Sequence, residues 1–207
     1  MNRFKKNNPK ERLMNKIINE LKEHAPFTAV ATILALIATF ILSQFISYNS
    51  SENIFDSLHL AHILFSAFAT TTVFYHNKKS IKSAILIGIT GSIIIGSLSD
   101  VFLPTLGTLI FGIKTHLHFP LIEKPILVLL SSLIGANLGI LVKKTKLPHT
   151  FHVFISIFAS LFYLISFSNI NTLIDYLISI IIVFFSVLIP CCLSDIVYPN
   201  LFIKKTN

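Results

Sequence analysis

The chain has 207 residues, of which 53% are apolar and 13% charged, and 17 Lys and Arg give it a formal net charge of +8. Soluble domains carry about 25% charged residues, so a water-soluble globule is excluded, and a polytopic membrane protein is expected. The mean hydropathy of +0.76 agrees. The basic residues lie in short clusters between apolar runs, where they orient spans, so the expected partner is the lipid bilayer and not nucleic acid.

Residues 1–26 are polar and basic, with Leu13, Ile17, Ile18 and Leu21 at helical spacing. This pattern predicts a cytoplasmic amphipathic helix lying on the membrane surface. The run Phe27–Ile46 follows; it is too long for a signal core and reads as a retained anchor. Further apolar runs are Leu60–Tyr75, Ile85–Leu103, Pro125–Val142, Phe151–Phe167 and Leu173–Val197. Between the third and fourth, Thr105–Ile122 is broken by glycines and a proline, which suggests a re-entrant or interfacial connection over 105–124. Residues 200–207 form a basic tail.

Lys78, Lys79 and Lys82 crowd one loop, Lys143, Lys144 and Lys146 another, and Lys204 and Lys205 the tail. The loops between them are poor in positive charge. Six spans with both termini cytoplasmic, in the cell (inner or plasma) membrane, satisfy every loop.

The chain also repeats itself. The second span opens His59-Leu-Ala-His62-Ile-Leu-Phe-Ser66-Ala-Phe68-Ala69, and the fifth opens His149-Thr-Phe-His152-Val-Phe-Ile-Ser156-Ile-Phe158-Ala159. The third ends Leu98-Ser99-Asp100 with Pro104 beyond it, and the sixth ends Leu193-Ser194-Asp195 with Pro199 beyond it. Each proline is expected to end its helix. Two matched motifs in the same order point to duplication of a three-span unit, 27–104 and 125–199. An odd number of spans per unit inverts the second copy. The expected fold is therefore an all-α bundle of six transmembrane helices in a 3+3 inverted repeat, an architecture used by many secondary transporters. It places His59, His62 and Asp100 near the outer face and His149, His152 and Asp195 near the inner face.

His-x-x-His puts two imidazoles one turn apart on one helix face, where both can reach one metal ion. Asp100 offers a carboxylate, and the connection adds His116, His118 and Glu123. The expected metal shell is drawn from His59, His62, Asp100, His116, His118 and Glu123; imidazole and carboxylate suit a divalent transition metal such as Zn, Mn, Fe, Ni or Co. Cys191 and Cys192 read as small packing residues. Ala84, Gly88, Ser92 and Gly96 lead by steps of four to Asp100, and Gly135-x-x-x-Gly139 adds a second small face, both as expected for close helix packing.

There is no Walker-type glycine loop, no Gly-x-Ser-x-Gly elbow and no His-Glu-x-x-His motif, so an ion gradient or a partner protein would supply energy. The leading reading is a transporter of a transition-metal cation or small solute, not an enzyme. A membrane-embedded metal-dependent hydrolase of a lipid or lipid-linked phosphate is the second. A non-catalytic membrane subunit, assembling with itself or with a partner subunit, is the third.

Overall fold

Backbone N–H and C=O groups surrounded by lipid must be satisfied within their own segment, and long apolar runs meet this demand as helices. The computed structural model describes residues 9–45, 48–142, 146–194 and 197–202. It is all-helical, with no strand among those residues. The elements are α1 (Pro9–Ser43), α2 (Tyr48–Asn77), α3 (Ile81–Ser97), a π-helical turn (Leu98–Phe102), α4 (Leu103–Ile110), α5 (Pro120–Glu123), α6 (Pro125–Leu141), α7 (Lys146–Phe167), α8 (Leu173–Ser194) and α9 (Val197–Leu201).

Four stretches are long and apolar enough to cross a membrane: Leu21–Leu42, Ser50–Asn77, Ile81–Ile110 and Leu173–Cys191. Two apolar helices, Pro125–Leu141 and Phe151–Phe167, are shorter. The chain is a membrane protein. Its outer surface agrees: Val30, Leu34, Leu86, Ile126, Leu130 and Leu177 are exposed, whereas Thr28, Thr32, His59, His62, Ser92 and Ser132 are buried. Apolar side chains face out and polar ones face in.

Three boundaries differ from the sequence reading. The basic segment and the first apolar run form one helix, because α1 continues through Pro26. The second span begins at Tyr48, not Leu60. Its first turns carry Glu52 and Asp56, which hydropathy discounts but which are no bar to a helix. The third span does not end at Pro104. A proline has no N–H to donate and crowds the carbonyl four residues back, which here belongs to Asp100. The backbone widens by one residue at that place, with the Leu103 N–H bonding to the Leu98 carbonyl, and the helix runs on to Ile110. Gly112 then stops it at φ 74°, with Ile113 N–H on Thr108 O (2.9 Å) and Gly112 N–H on Leu109 O (3.1 Å), the paired bonds of a glycine C-cap.

The connection to α6 is a strap across the C-terminal end of α7. His116 N–H bonds Phe167 O (2.8 Å) and Asn169 N–H bonds Lys114 O (3.0 Å).

The core forms where α2 and α7 pack antiparallel along their lengths. Ser166 bonds Ser51 at 3.0 Å near one end, and Phe65 stacks on Phe151 at 5.7 Å beyond the middle. α2 also packs on α3 and α6, α7 on α1 and α8, α1 on α8, and α3 on α6. Small residues allow the closest approaches: a Cβ on Gly135 would lie 2.0 Å from the Leu64 carbonyl oxygen, and one on Gly139 2.6 Å from that of Phe68. The glycines of α6 are therefore packing residues, as their spacing predicted.

Candidate functional site

The polar positions of α2 recur by three and four residues, at Asp56, His59, His62, Ser66 and Thr70, and all are buried. Such spacing aligns them on one face, which α7 covers. His62 stands at the midpoint of α2, roughly 20 Å from either end at 1.5 Å per residue. The sequence reading put His62 near the start of its helix; it stands at the middle because the helix starts earlier than its apolar run does.

The first expected cluster is present. His59 Nδ1 lies 2.9 Å and His62 Nδ1 2.8 Å from the same oxygen of Asp100, Oδ2. The other oxygen, Oδ1, accepts Ser99 Oγ at 2.8 Å and Ser156 Oγ at 2.7 Å. All these residues are fully buried. A carboxylate only accepts, so the network puts a ring proton of each histidine on Nδ1 and turns Nε2 away from Asp100. The widened turn at Leu98–Phe102 delivers Ser99 and Asp100 together, and Ser160 fastens it from α7 by donating to the Ser99 carbonyl at 3.1 Å.

On the far side of His62 the second half of the chain arrives. The His152 ring of α7 stacks on the His62 ring, centroids 5.7 Å apart and planes within 6°. Cys191 of α8 places Sγ 3.7 Å from His62 Nε2 and 3.7 Å from Ser156 Oγ. One ligand atom each from His62, His152 and Cys191 falls within 4.8 Å of the others. The two motifs expected on opposite faces thus meet in the centre. Asp195 lies outside the described residues, as does the side chain of His149.

His116, His118 and Glu123 do not join Asp100. His116 is exposed. His118 is buried at the end of the bundle, with Nε2 3.0 Å from Asp56 Oδ1 and Nδ1 2.8 Å from Glu123 Oε2. Lys124 pairs with the other oxygen of Asp56, and Glu52 approaches the same group. The Phe55 ring separates the two clusters, stacked on His59 at 5.6 Å and edge-on to His118 at 5.6 Å. The charges of this end cluster are tied to one another, so the His118 side chain fastens the strap. The Asp56 bond, with Asp56, Glu52 and Glu123 charges nearby, holds the Lys124 ammonium above the usual lysine range.

Sequence reasoning missed Ser99, Ser156, Asp56 and Lys124, and it read Cys191 as packing. Ser156 carried a signal, since it recurs as Ser66 in the matched motif. Asp56 and Lys124 carried none, because they meet only through the fold.

Compared with protein-family models, with curated proteins and with solved structures, the chain matches none.

Proposed function

We propose that this chain is a membrane transporter of a transition-metal cation, built as a 3+3 inverted repeat of six spans. The observation that carries the reading is the stacking of His62 on His152 in the buried centre. These are the matching positions of the two His-x-x-His motifs, and two equivalent residues of an inverted repeat touch only on its twofold axis. The helix neighbours agree with that axis. α1 against α7 and α8 mirrors α6 against α2 and α3, and α2 against α3 mirrors α7 against α8.

Chemistry supports a cation as cargo. Among the described residues the partners of Asp100 are two imidazoles and two hydroxyls, with no Lys or Arg. A carboxylate at this depth is expensive and belongs to an ion or proton pathway by default. Buried polar atoms without a hydrogen-bond partner among the described residues continue from it: His59 Nε2, Ser66 Oγ and Thr70 Oγ1 on α2, and Ser97 Oγ on α3. Complete burial of the cluster disfavours a lipid hydrolase, whose metal-bound water must meet a headgroup.

Purified protein reconstituted in liposomes with a metal-sensitive dye inside tests the reading. Zinc influx is expected for the wild type and loss of it for His62→Ala with His152→Ala. Wild-type flux equal to protein-free liposomes would end the proposal. Six spans with the basic loops inside would put both termini in the cytoplasm, so a cysteine at position 53 should be labelled in intact cells and one at position 79 only after permeabilisation. Equal labelling at both would remove the inverted arrangement.

A further inference from the structure

The geometry points to a thiolate-containing cargo site of His62, His152 and Cys191 that selects a zinc-class divalent ion, with Asp100 orienting a ligand and not binding the metal. This deepens the reading of the core as a cation site and rests on it.

The two-sided use of His62 is the starting point. Its Nδ1 is taken by Asp100, which orients the ring and aims Nε2 at Cys191. Carboxylate, imidazole and metal in series are the usual order when an imidazole ligates, because the carboxylate holds the ring and raises its basicity. Asp100 is itself held in place by Ser99 and Ser156, so its four acceptor contacts leave it committed to this supporting role.

Distances fit. Zinc bonds of about 2.05 Å to nitrogen and about 2.3 Å to sulfur, at a tetrahedral angle, separate the two ligand atoms by about 3.6 Å. The observed His62 Nε2 to Cys191 Sγ distance is 3.7 Å. A nitrogen of His152 completes a group within 4.8 Å, so modest ring adjustment closes a three-ligand set with a fourth position open. An open position is what a site needs if cargo must arrive and leave.

Charge completes the argument. A divalent ion, one thiolate and the Asp100 carboxylate sum to zero, so the loaded core is neutral in a low-dielectric interior. A monovalent ion leaves a net negative charge there, and a trivalent ion a net positive one. Ligand softness excludes the hard ions: among divalent ions, one sulfur and two imidazoles suit Zn or Co, and not Mg, Ca or Mn. Manganese is thereby removed from the set that imidazole and carboxylate alone permitted.

The chain has only two cysteines, so the sulfur can be isolated cleanly. Detergent-purified Cys192→Ser protein is titrated with Co(II), whose tetrahedral sites absorb in the visible and whose sulfur bonds give a near-ultraviolet charge-transfer band. One cobalt per chain with both absorptions is expected, zinc should displace it, and manganese should not. Cys191→Ser should lose the charge-transfer band and weaken binding by at least roughly tenfold, the lower end of the loss seen for supporting residues alone. Folded wild-type protein that binds cobalt without a sulfur band, or that releases cobalt to manganese, would overturn the assignment even if the Cys191 variant cannot be purified. The liposome assay separates the two readings. Flux without the sulfur band refutes this site and spares transport; the band without flux refutes transport and spares the site.

Discussion

Two His–carboxylate clusters in this chain use the same residue types and do different work. At the end of the bundle, Asp56 is bracketed by Lys124 and His118, and Glu123 by His118. Fixed positive charge meets fixed negative charge, and half of the participants touch solvent. In the centre, Asp100 is fully buried, and its partners among the described residues are imidazoles and hydroxyls. Composition does not distinguish a clasp from a cargo site; the source of the balancing charge does. Where the protein supplies a lysine, the cluster is complete. Where it supplies only groups that can give up a proton, a cation can take its place.

The sharpest way to break this comparison is to remove each carboxylate. Asp100→Ala leaves two ring N–H groups and two hydroxyls buried without their acceptor, and a loss of about 3–5 kcal/mol is expected, as for other disrupted buried ion pairs. Asp56→Ala strands only His118, because water reaches the partly exposed Lys124, so a smaller loss of about 1–3 kcal/mol is expected. Unfolding in detergent mixtures would measure both. Comparable losses would mean that the two clusters are equally structural.

Ser156 and Ser66 sharpen it further. They hold the same place in the two motifs, yet Ser156 donates to Asp100 at 2.7 Å, while Ser66 is buried with no hydrogen-bond partner among the described residues. Ser156→Ala therefore should cost about 1–3 kcal/mol, the penalty for stranding a buried partner. Ser66→Ala should be close to neutral. Equal losses from the two would indicate that Ser66 also serves a carboxylate, as the repeat would give it in Asp195.

Much of the centre was legible because it is written in local spacing. His-x-x-His fixes two rings on one face, and the recurrence of Ser-Asp after a small-residue helix brings a carboxylate to the same depth. Spacing offered His59, His62 and Asp100 as one group, and the packing of α3 on α2 brings the carboxylate to the two rings. What failed was depth and partnership. Hydropathy placed the start of α2 at Leu60, since Glu52 and Asp56 look like loop residues until Lys124 and His118 are folded against them. That error moved His62 from the middle of a helix to its end, and with it separated two motifs that touch. The widened turn was illegible for another reason: Pro104 forbids one hydrogen bond, but whether the helix stops or swells depends on what holds Ser99 and Asp100 from α7.

The smallest expected effect concerns the clasp and its pH dependence. The Lys124 ammonium is held above the usual lysine range, first by its bond to Asp56, which outweighs the penalty from burial, and then by the charges of Asp56, Glu52 and Glu123. A group whose pKa rises on folding contributes stability that is complete below its unfolded value, about 10.5 for lysine, and is lost as pH climbs through the folded one. From neutral pH to about 10 the strap should therefore hold unchanged, and it should loosen as pH climbs beyond about 10.5. Accessibility of a single cysteine placed at Leu117, in the Cys191→Ser, Cys192→Ser background, would follow it at fixed reagent ionisation. Lys124→Met should give the loosened accessibility already at neutral pH and abolish the alkaline change, whereas Lys124→Arg should keep the strap closed throughout. High salt should weaken the wild-type clasp in the same direction, because Lys124 is partly exposed and its attraction is screened. A strap that loosened instead on acidification alone would assign the clasp to His118 and the carboxylates, and Lys124 would be a bystander to it.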